Sequence, residues 1–548
     1  MQKLAGWFKG LFQTHRRTEP ERPISVSAGD RKLLGAIALF SAVVCTYAMR
    51  QADPDLWGHL AYGRLFLAQG TPTVQDPFAY TSSGFQWVAF EYLAQILLWA
   101  AYRSFGPLGL IALKCLVGGV TLYLLYVAIR ATTDDIAVYA PVFVLCASTI
   151  ARFFTFRPQL FTFLFFSLFV ALVVRFLTCR QTALWILPVA MLVWANLHGG
   201  FFAGFAVLGL AVFLRVCENV TDGWRNLRTA MAGTGPLWIT TAACILATFV
   251  NPWGWRLWLY VLTEVFHGTN RHLIAEWRPP SLGGDTWSML ALTLMTVILM
   301  VVGWIAERVV RKKPGPRPLY WVASCAPAIV LGYTSVRHIP LVAIWAGPVI
   351  ALIGSRIKQA PSAVAGFRLV WFGLSTFAYV AIFLTLTFVA MRPRPTITIA
   401  GAILGSRHPC RAAAFLRRNH LMGNVYAPLW WGSYLTWELY PSVRVSMDGR
   451  NISLFPDDMI VENLNFYSAV GSHADLAAPL RYKTDMLLVP SDTPVLPLLL
   501  QDARWYKAYV DSDSVLLVRA DPVHQSLLSL VKNDSLALPS EPCPEVLQ

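Results

Sequence analysis

Leu-, Phe- and Val-rich runs of roughly membrane-spanning length, separated by short polar connectors, repeat through the first ~390 residues. Candidate spans fall at 33–49, 87–103, 107–129, 136–151, 158–176, 183–197, 199–215, 236–251, 286–304, 318–335, 339–355 and 369–391. Positive charge gathers beside them, as at His15-Arg16-Arg17, Arg31-Lys32 and Arg308 to Lys313, which is the positive-inside pattern. Residues 1–31 are therefore expected as a basic cytoplasmic N-terminus, with 307–317 cytoplasmic and the chain beyond the last span outside. That orientation needs an odd number of crossings, so one of the twelve candidates is re-entrant or 253–268 also crosses. The latter segment sets Trp253, Trp255, Trp258 and Tyr260 beside Arg256, which suits a helix lying on the outer interface.

Residues 50–86 form a polar loop rich in Asp, Pro, Gly, Ser and Thr, expected outside. From about 392 the pattern changes again. Strand-like runs at Val443–Met447, Met486–Pro490 and Ser514–Arg519 are punctuated by turn signals at Asp448-Gly449 and Asp511-Ser512-Asp513. The expected organisation is a cytoplasmic segment at 1–31, a transmembrane module at 32–391 that carries the loop 50–86, and an extracytoplasmic α/β domain at 392–548. The expected fold class is mostly α: a polytopic membrane helical bundle of about 11–13 transmembrane helices with that small domain appended.

Composition sharpens this. Charged residues make up 14% of the 548 and hydrophobic ones 56%, where a soluble domain carries about 25% charge. A water-soluble globule is excluded, and a multi-pass integral membrane protein is expected. The net charge of +15 sits in connectors rather than in a long basic stretch interleaved with aromatics, so nucleic acid is not an expected partner. The nine cysteines form no CxxC pair. Cys410 and Cys543 lie in the polar tail, as a disulfide or as two free thiols.

Two groups of residues carry candidate chemistry. The first loop holds Asp53-Pro54-Asp55, then His59, Arg64, Asp76 and, at the head of the next run, Glu91. Two carboxylates one residue apart can divide acid–base work or share Mg²⁺ or Mn²⁺, making Asp53 and Asp55 the tentative metal ligands. Asp55 also suits the N-cap of a short helix from Leu56 to Leu67. The second group is Arg152, Arg157, His198, Arg271, His272, Arg337 and His338, near span ends, where ionisable groups are costly and Arg offers a fork for phosphate oxygens. Snorkelling to headgroups accounts equally for Arg152 and Arg157, and is the expectation for Lys114. Packing beside Asn196 at a helix end accounts equally for His198.

Several blocks together resemble the GT-C superfamily of membrane glycosyltransferases, in the bacterial branch related to the dolichyl-phosphate-mannose–protein mannosyltransferases. They are Asp53-Pro-Asp-Leu-Trp-Gly-His-Leu60 with Gly63-Arg64, Asp76-Pro-Phe-Ala-Tyr-Thr81, Trp87 with Glu91, and Arg157-Pro-Gln159. Further on come Trp194-Ala-Asn-Leu-His-Gly-Gly200, Asn251-Pro-Trp-Gly254, Glu276-Trp277, Arg337-His-Ile-Pro340, Trp431-Gly-Ser-Tyr434 and Asp448-Gly-Arg450. The resemblance implies a polyprenyl-phosphate-linked sugar donor, an envelope acceptor (lipid, glycan or protein), and Asp53 or Asp55 as the catalytic carboxylate, with Glu91 beside it. Transfer would invert the sugar, and Arg337 and His338, with Arg157, His198, Arg271 and His272, would grip the donor phosphate. A transporter or flippase of a lipid-linked saccharide is the rival expectation. Trp430-Trp431-Gly-Ser-Tyr434 is also similar to the WWDYG motif of oligosaccharyltransferases, with Gly432 where that motif has Asp.

Overall fold

The computed structural model describes residues 54–358 and 408–532, apart from 74, 83–84, 152, 180–182, 222–226, 267–274, 282–285, 311–316, 451–453 and 470–474. Asp53, Arg152, Arg271, His272, Cys543, residues 1–31 and the expected spans at 33–49 and 369–391 lie outside the described residues.

The chain is an integral membrane protein. Five of its described helical stretches are long and apolar enough to cross a bilayer: Tyr92–Arg130, Gln159–Cys179, Gly199–Val220, Met289–Glu307 and Val336–Ile357, with shorter apolar helices at Val138–Ala151, Ala183–Leu197 and Gly235–Thr248. In chain order, α1 is Leu56–Gln69, α2 Tyr92–Arg130, α3 Ile136–Ala151, α4 Gln159–Cys179, α5 Ile186–Leu197 and α6 Phe202–Thr221. Then come α7 (Gly235–Thr248), α8 (Arg256–Phe266), α9 (Thr286–Val310), α10 (Pro318–Thr334) and α11 (Ile339–Lys358). Leu, Phe, Val and Ala from α2–α7, α9–α11 and the start of α8 interlock into one apolar core, with Trp194, Trp321 and Trp345 buried in it. Expected spans and observed helices agree closely between 107 and 355.

The run 87–103 departs from expectation. It continues into the next helix, but the backbone breaks at Phe105 and at Gly106, whose φ is 58°, just before Pro107. At 1.5 Å per residue an unbroken helix of 39 residues would overshoot a ~30 Å hydrocarbon layer about twofold. The arm before the break instead packs on α1 and on the C-terminal domain: Trp99 and Tyr102 meet the Trp437 ring edge, and Leu98 joins that domain's core. This segment thus packs on both the bundle, through Ala94, and the C-terminal domain. Lys114 is also corrected. Its side chain does not reach outward; it is 2% exposed, with the ammonium 4.4 Å from the Phe156 ring.

The C-terminal domain holds α12 (Cys410–Arg418), β1 (Gly423–Tyr426), α13 (Leu429–Leu439), β2 (Val443–Val445), α14 (Asp457–Ser468) and β3 (Met486–Pro490). After these follow α15 (Leu496–Gln501), β4 (Trp505–Val510), β5 (Ser514–Arg519) and α16 (Gln525–Lys532). The sheet runs β2-β1-β3-β5-β4, with β2-β1-β3 parallel and β3-β5-β4 antiparallel. All three strand-like runs are strands; β1 and β4 were not anticipated. Cys410 is disulfide-bonded.

The first loop docks onto this sheet. Tyr80 N–H donates to Val445 O (3.1 Å) and Val445 N–H to Phe78 O (3.2 Å), so the loop extends the sheet past β2. That covers an edge strand which would otherwise offer open backbone groups. Trp57 of α1 is fully buried, edge-on to Tyr434 and His408, and donates to His408 Nε2 (3.3 Å). Arg64, one of the first-loop candidates, lies over the Trp437 ring at 4.7 Å.

Candidate active site

The site lies where the first loop, the α2 arm and several breaks between bundle helices meet the C-terminal domain. Asp55 precedes α1, and its backbone carbonyl accepts from His59 N–H (3.0 Å). Its side chain makes no cap hydrogen bond, contrary to the N-cap expectation. Instead Arg157, in the turn before α4, donates from Nη2 to Asp55 Oδ2 (2.7 Å) and from Nη1 to Glu276 Oε1 (2.7 Å). One guanidinium thus joins two carboxylates 221 residues apart in sequence, drawing on the fork geometry of arginine. Arg157 is then neither a snorkelling residue nor a freely offered phosphate ligand.

Glu276 carries this chain onward. Ser335 Oγ donates to its backbone carbonyl (2.9 Å), and Val336 N–H donates to Arg278 O (3.1 Å), tying the 3-10 turn Ala275–Trp277 to Val336–His338. Trp277 lies under the Arg337 guanidinium at 5.2 Å and edge-on to His338 at 6.0 Å. His338 Nδ1 lies 3.3 Å from Leu331 O. Glu276 stood among the resembling blocks but not among the candidates; an isolated acid between aromatic and apolar neighbours was the available signal.

His198 sits in extended backbone at the break between α5 and α6. Its Nδ1 accepts from Gly200 N–H (2.9 Å) and lies 2.8 Å from Thr162 Oγ1, which itself accepts from Trp194 Nε1 (3.1 Å). Nε2 lies 3.1 Å from Arg337 Nη2 and 3.5 Å from Glu91 Oε1. Burial pushes the Glu91 carboxyl up to about 7, against the pull of Arg337 and Arg157. His59 stands beside Gln95, with Nδ1 3.3 Å from its Nε2.

The floor is aromatic. Tyr92 donates to Asn196 Oδ1 (2.9 Å), and Asn196 Nδ2 donates to Val250 O (2.9 Å) at the turn before α8. Trp253 and Tyr260 pack against Tyr92 and Phe90, while Trp258 turns inward onto Phe202, Phe205 and Phe249. Only part of the expected interfacial segment therefore faces outward, with Trp255 63% exposed.

Asp76 takes a different place from the other candidates. Arg450 donates from Nη1 to Asp76 Oδ1 (2.6 Å), and from Nε and Nη2 to Asp448 Oδ1 (2.8 Å) and Oδ2 (2.6 Å). The rings of Tyr62, Phe78 and Trp87 enclose the guanidinium at 4.5–5.5 Å. Asp448-Gly-Arg450, expected as an ordinary turn, is the buried clamp between the domain and the loop. Nearby, a Cβ on Gly432 would stand 1.8 Å from Met447 O, so Gly occupies the Asp position of the WWDYG motif for lack of space. Gly432→Asp is accordingly expected to lower the melting temperature of the purified protein rather than to add an acidic ligand; an unchanged melting temperature would contradict that packing.

Among the described residues, no three His, Cys, Asp or Glu gather to hold a metal ion. Asp55 Oδ2 already faces a guanidinium. The described donors do not fit the expected Mg²⁺ or Mn²⁺ by themselves, so no step is assigned to a metal.

This bundle, broken at polar turns beneath a first loop and capped by a small mixed sheet, shares its fold with a solved membrane oligosaccharyltransferase. Among solved structures it is similar to the archaeal oligosaccharyltransferase AglB from Archaeoglobus fulgidus in complex with an inhibitory peptide and a dolichol-phosphate. There the TM-score is 0.54 at 12% identity, over 90% of this chain and 75% of that one. The apo form of the A. fulgidus enzyme matches with a TM-score of 0.53 at the same identity and coverage. ArnT from Cupriavidus metallidurans bound to undecaprenyl phosphate gives a TM-score of 0.49 at 16% identity, over 91% of this chain and 99% of that one. No protein-family model matches the chain, and no curated protein does.

Proposed function

We propose that this protein transfers a sugar from a polyprenyl-phosphate-linked donor to an envelope acceptor at the outer face of a bacterial inner membrane, with inversion at the sugar. The observation that carries this reading is the meeting of Asp55, Arg157 and Glu276 with Glu91, His198 and Arg337 at one end of the bundle, against the C-terminal domain. Asp55 would take or orient the proton of the attacking acceptor hydroxyl, Arg157 holding the carboxylate in place. Asp53 stays a candidate partner in that step. Arg337 presents N–H donors to this space, as a departing lipid phosphate needs, with His198 Nε2 3.1 Å from it; His338, Arg271 and His272 remain candidate phosphate ligands. The aromatic floor of Phe90, Trp253 and Tyr260 suits a prenyl chain arriving from the bilayer. Reconstitution with a panel of polyprenyl-phosphate sugars, scored for transfer or hydrolysis, tests the reading; no turnover of any donor would sink it.

Glu91 supplies a pH prediction. A carboxyl raised to about 7 is protonated below that pH and charged above it. Charged Glu91 repels a phosphate arriving at Arg337 and His198; neutral Glu91 does not. Donor KM is therefore expected to fall as pH drops from 8 to 6, and Glu91→Gln to flatten that dependence. The same slope in the variant would remove Glu91 from the phosphate site.

A further inference from the structure

The Asp55 carboxylate is enclosed from two sides. The bundle side is Arg157, whose Nη2 takes Oδ2. The other side is backbone of the C-terminal domain: a Cβ on Gly449 would stand 1.9 Å from Asp55 Oδ1 and 2.7 Å from its Cγ. No side chain fits there, so the main chain at 449 forms a wall against the carboxylate. That wall is itself fixed. Gly449 N–H donates to Ser433 Oγ (3.0 Å) on α13, and the same oxygen would stand 2.9 Å from a Cβ on Gly58 of α1. On either side of Gly449, Asp448 and Arg450 are locked with Asp76 in the buried ion-pair clamp, the arginine side chain 5% exposed and the carboxylates 0%.

We propose that Asp448-Gly449-Arg450 is a positioning element through which the C-terminal domain sets the location of the first-loop carboxylate. This rests on the reading of Asp55 as the transfer carboxylate. Gly449 needs no functional group: it acts by approaching within contact distance where nothing larger can. Arg450 acts through Gly449, holding the turn against the loop by its two carboxylates while Tyr62, Phe78 and Trp87 shut out water. The bundle and the domain each hold one oxygen of the same acid, so the carboxylate is correctly placed only when the two are docked.

The test uses the full-length protein in lipid nanodiscs, with Gly449→Ala as the main variant and Arg450→Lys as a second that keeps the charge but loses the fork. In Gly449→Ala, kcat is expected to fall about 10²-fold with donor KM within about threefold of wild type, because a shift of about 1 Å in a catalytic group is enough for such a loss. A merely structural defect would lower the active fraction and donor binding together. Cryo-electron microscopy of the same variant should find the Asp55 carboxylate displaced from Arg157. Wild-type kcat in both variants, or an unmoved Asp55, overturns the proposal. If the wild-type protein turns over no donor, the functional reading fails, and the position of Asp55 in the variant still decides whether Gly449 sets it.

Discussion

Replacing Asp55 with Asn is expected to abolish sugar transfer while leaving expression and donor binding intact. The substitution keeps the shape of the side chain and removes its charge. Arg157 then loses one of two carboxylates, and the acceptor hydroxyl loses its proton acceptor. General-base assistance contributes ~10²–10⁴-fold to a rate, so the loss should exceed any effect of the cations that hold the phosphate. Glu276→Gln should follow in milder form, because Glu276 steadies Arg157 through Oε1 while its Oε2 is buried and takes no hydrogen bond among the described residues. The comparison is made by initial rates of donor consumption in proteoliposomes containing equal amounts of each protein. Asp55→Asn at wild-type rate would refute the assignment, and Asp53→Asn measured alongside decides which member of the pair matters more.

The second large effect is on stability. Arg450→Met leaves Asp76 and Asp448 buried, close together and without their guanidinium. Removing one partner of a buried ion pair costs about 3–5 kcal/mol, because the remaining charge keeps its desolvation penalty. Asp76 also accepts from Phe78 N–H (2.9 Å), Ala79 N–H (3.0 Å) and Ser82 Oγ (2.6 Å), so the strand-like edge of the loop depends on it. Loss of the clamp should therefore free the first loop as well as lower the melting temperature. Limited proteolysis is expected to cut within 70–86 in the variant and not in the wild-type protein. A melting temperature within a degree or two of wild type, with the loop still protected, would show that the clamp is dispensable.

What the sequence disclosed follows from what is local. Spans from 107 to 355 were legible because a lipid-facing or core-facing helix needs apolar residues throughout, and three strands because short apolar runs were punctuated by turn residues. The break at Phe105-Gly106 and the docking of 92–104 on Trp437 were not legible, because hydropathy does not distinguish a protein neighbour from lipid. Asp55 and Glu91 stood out as acids of the first outer loop and the head of the next run, and His198 and Arg337 as ionisable groups near span ends, where they are costly. Their meeting did not, since Arg157 reaches acids 102 residues before it and 119 after it. Asp448-Gly-Arg450 passed for a turn because its partner Asp76 is 374 residues away and nothing local signals a clamp. Gly432 and Gly449 were silent for another reason: they matter for the space they leave empty.

On this mechanism the acids and the Arg337–His198 pair serve one bond, between the sugar and its lipid phosphate. The most direct measurement follows a donor labelled in both sugar and lipid in sealed proteoliposomes. Free polyprenyl phosphate should be released at the rate of sugar transfer, and this release should be lost in Asp55→Asn and strongly reduced in Arg337→Ala. Movement of the intact donor across the bilayer, with the sugar–phosphate bond unbroken and Asp55→Asn without effect, would contradict it.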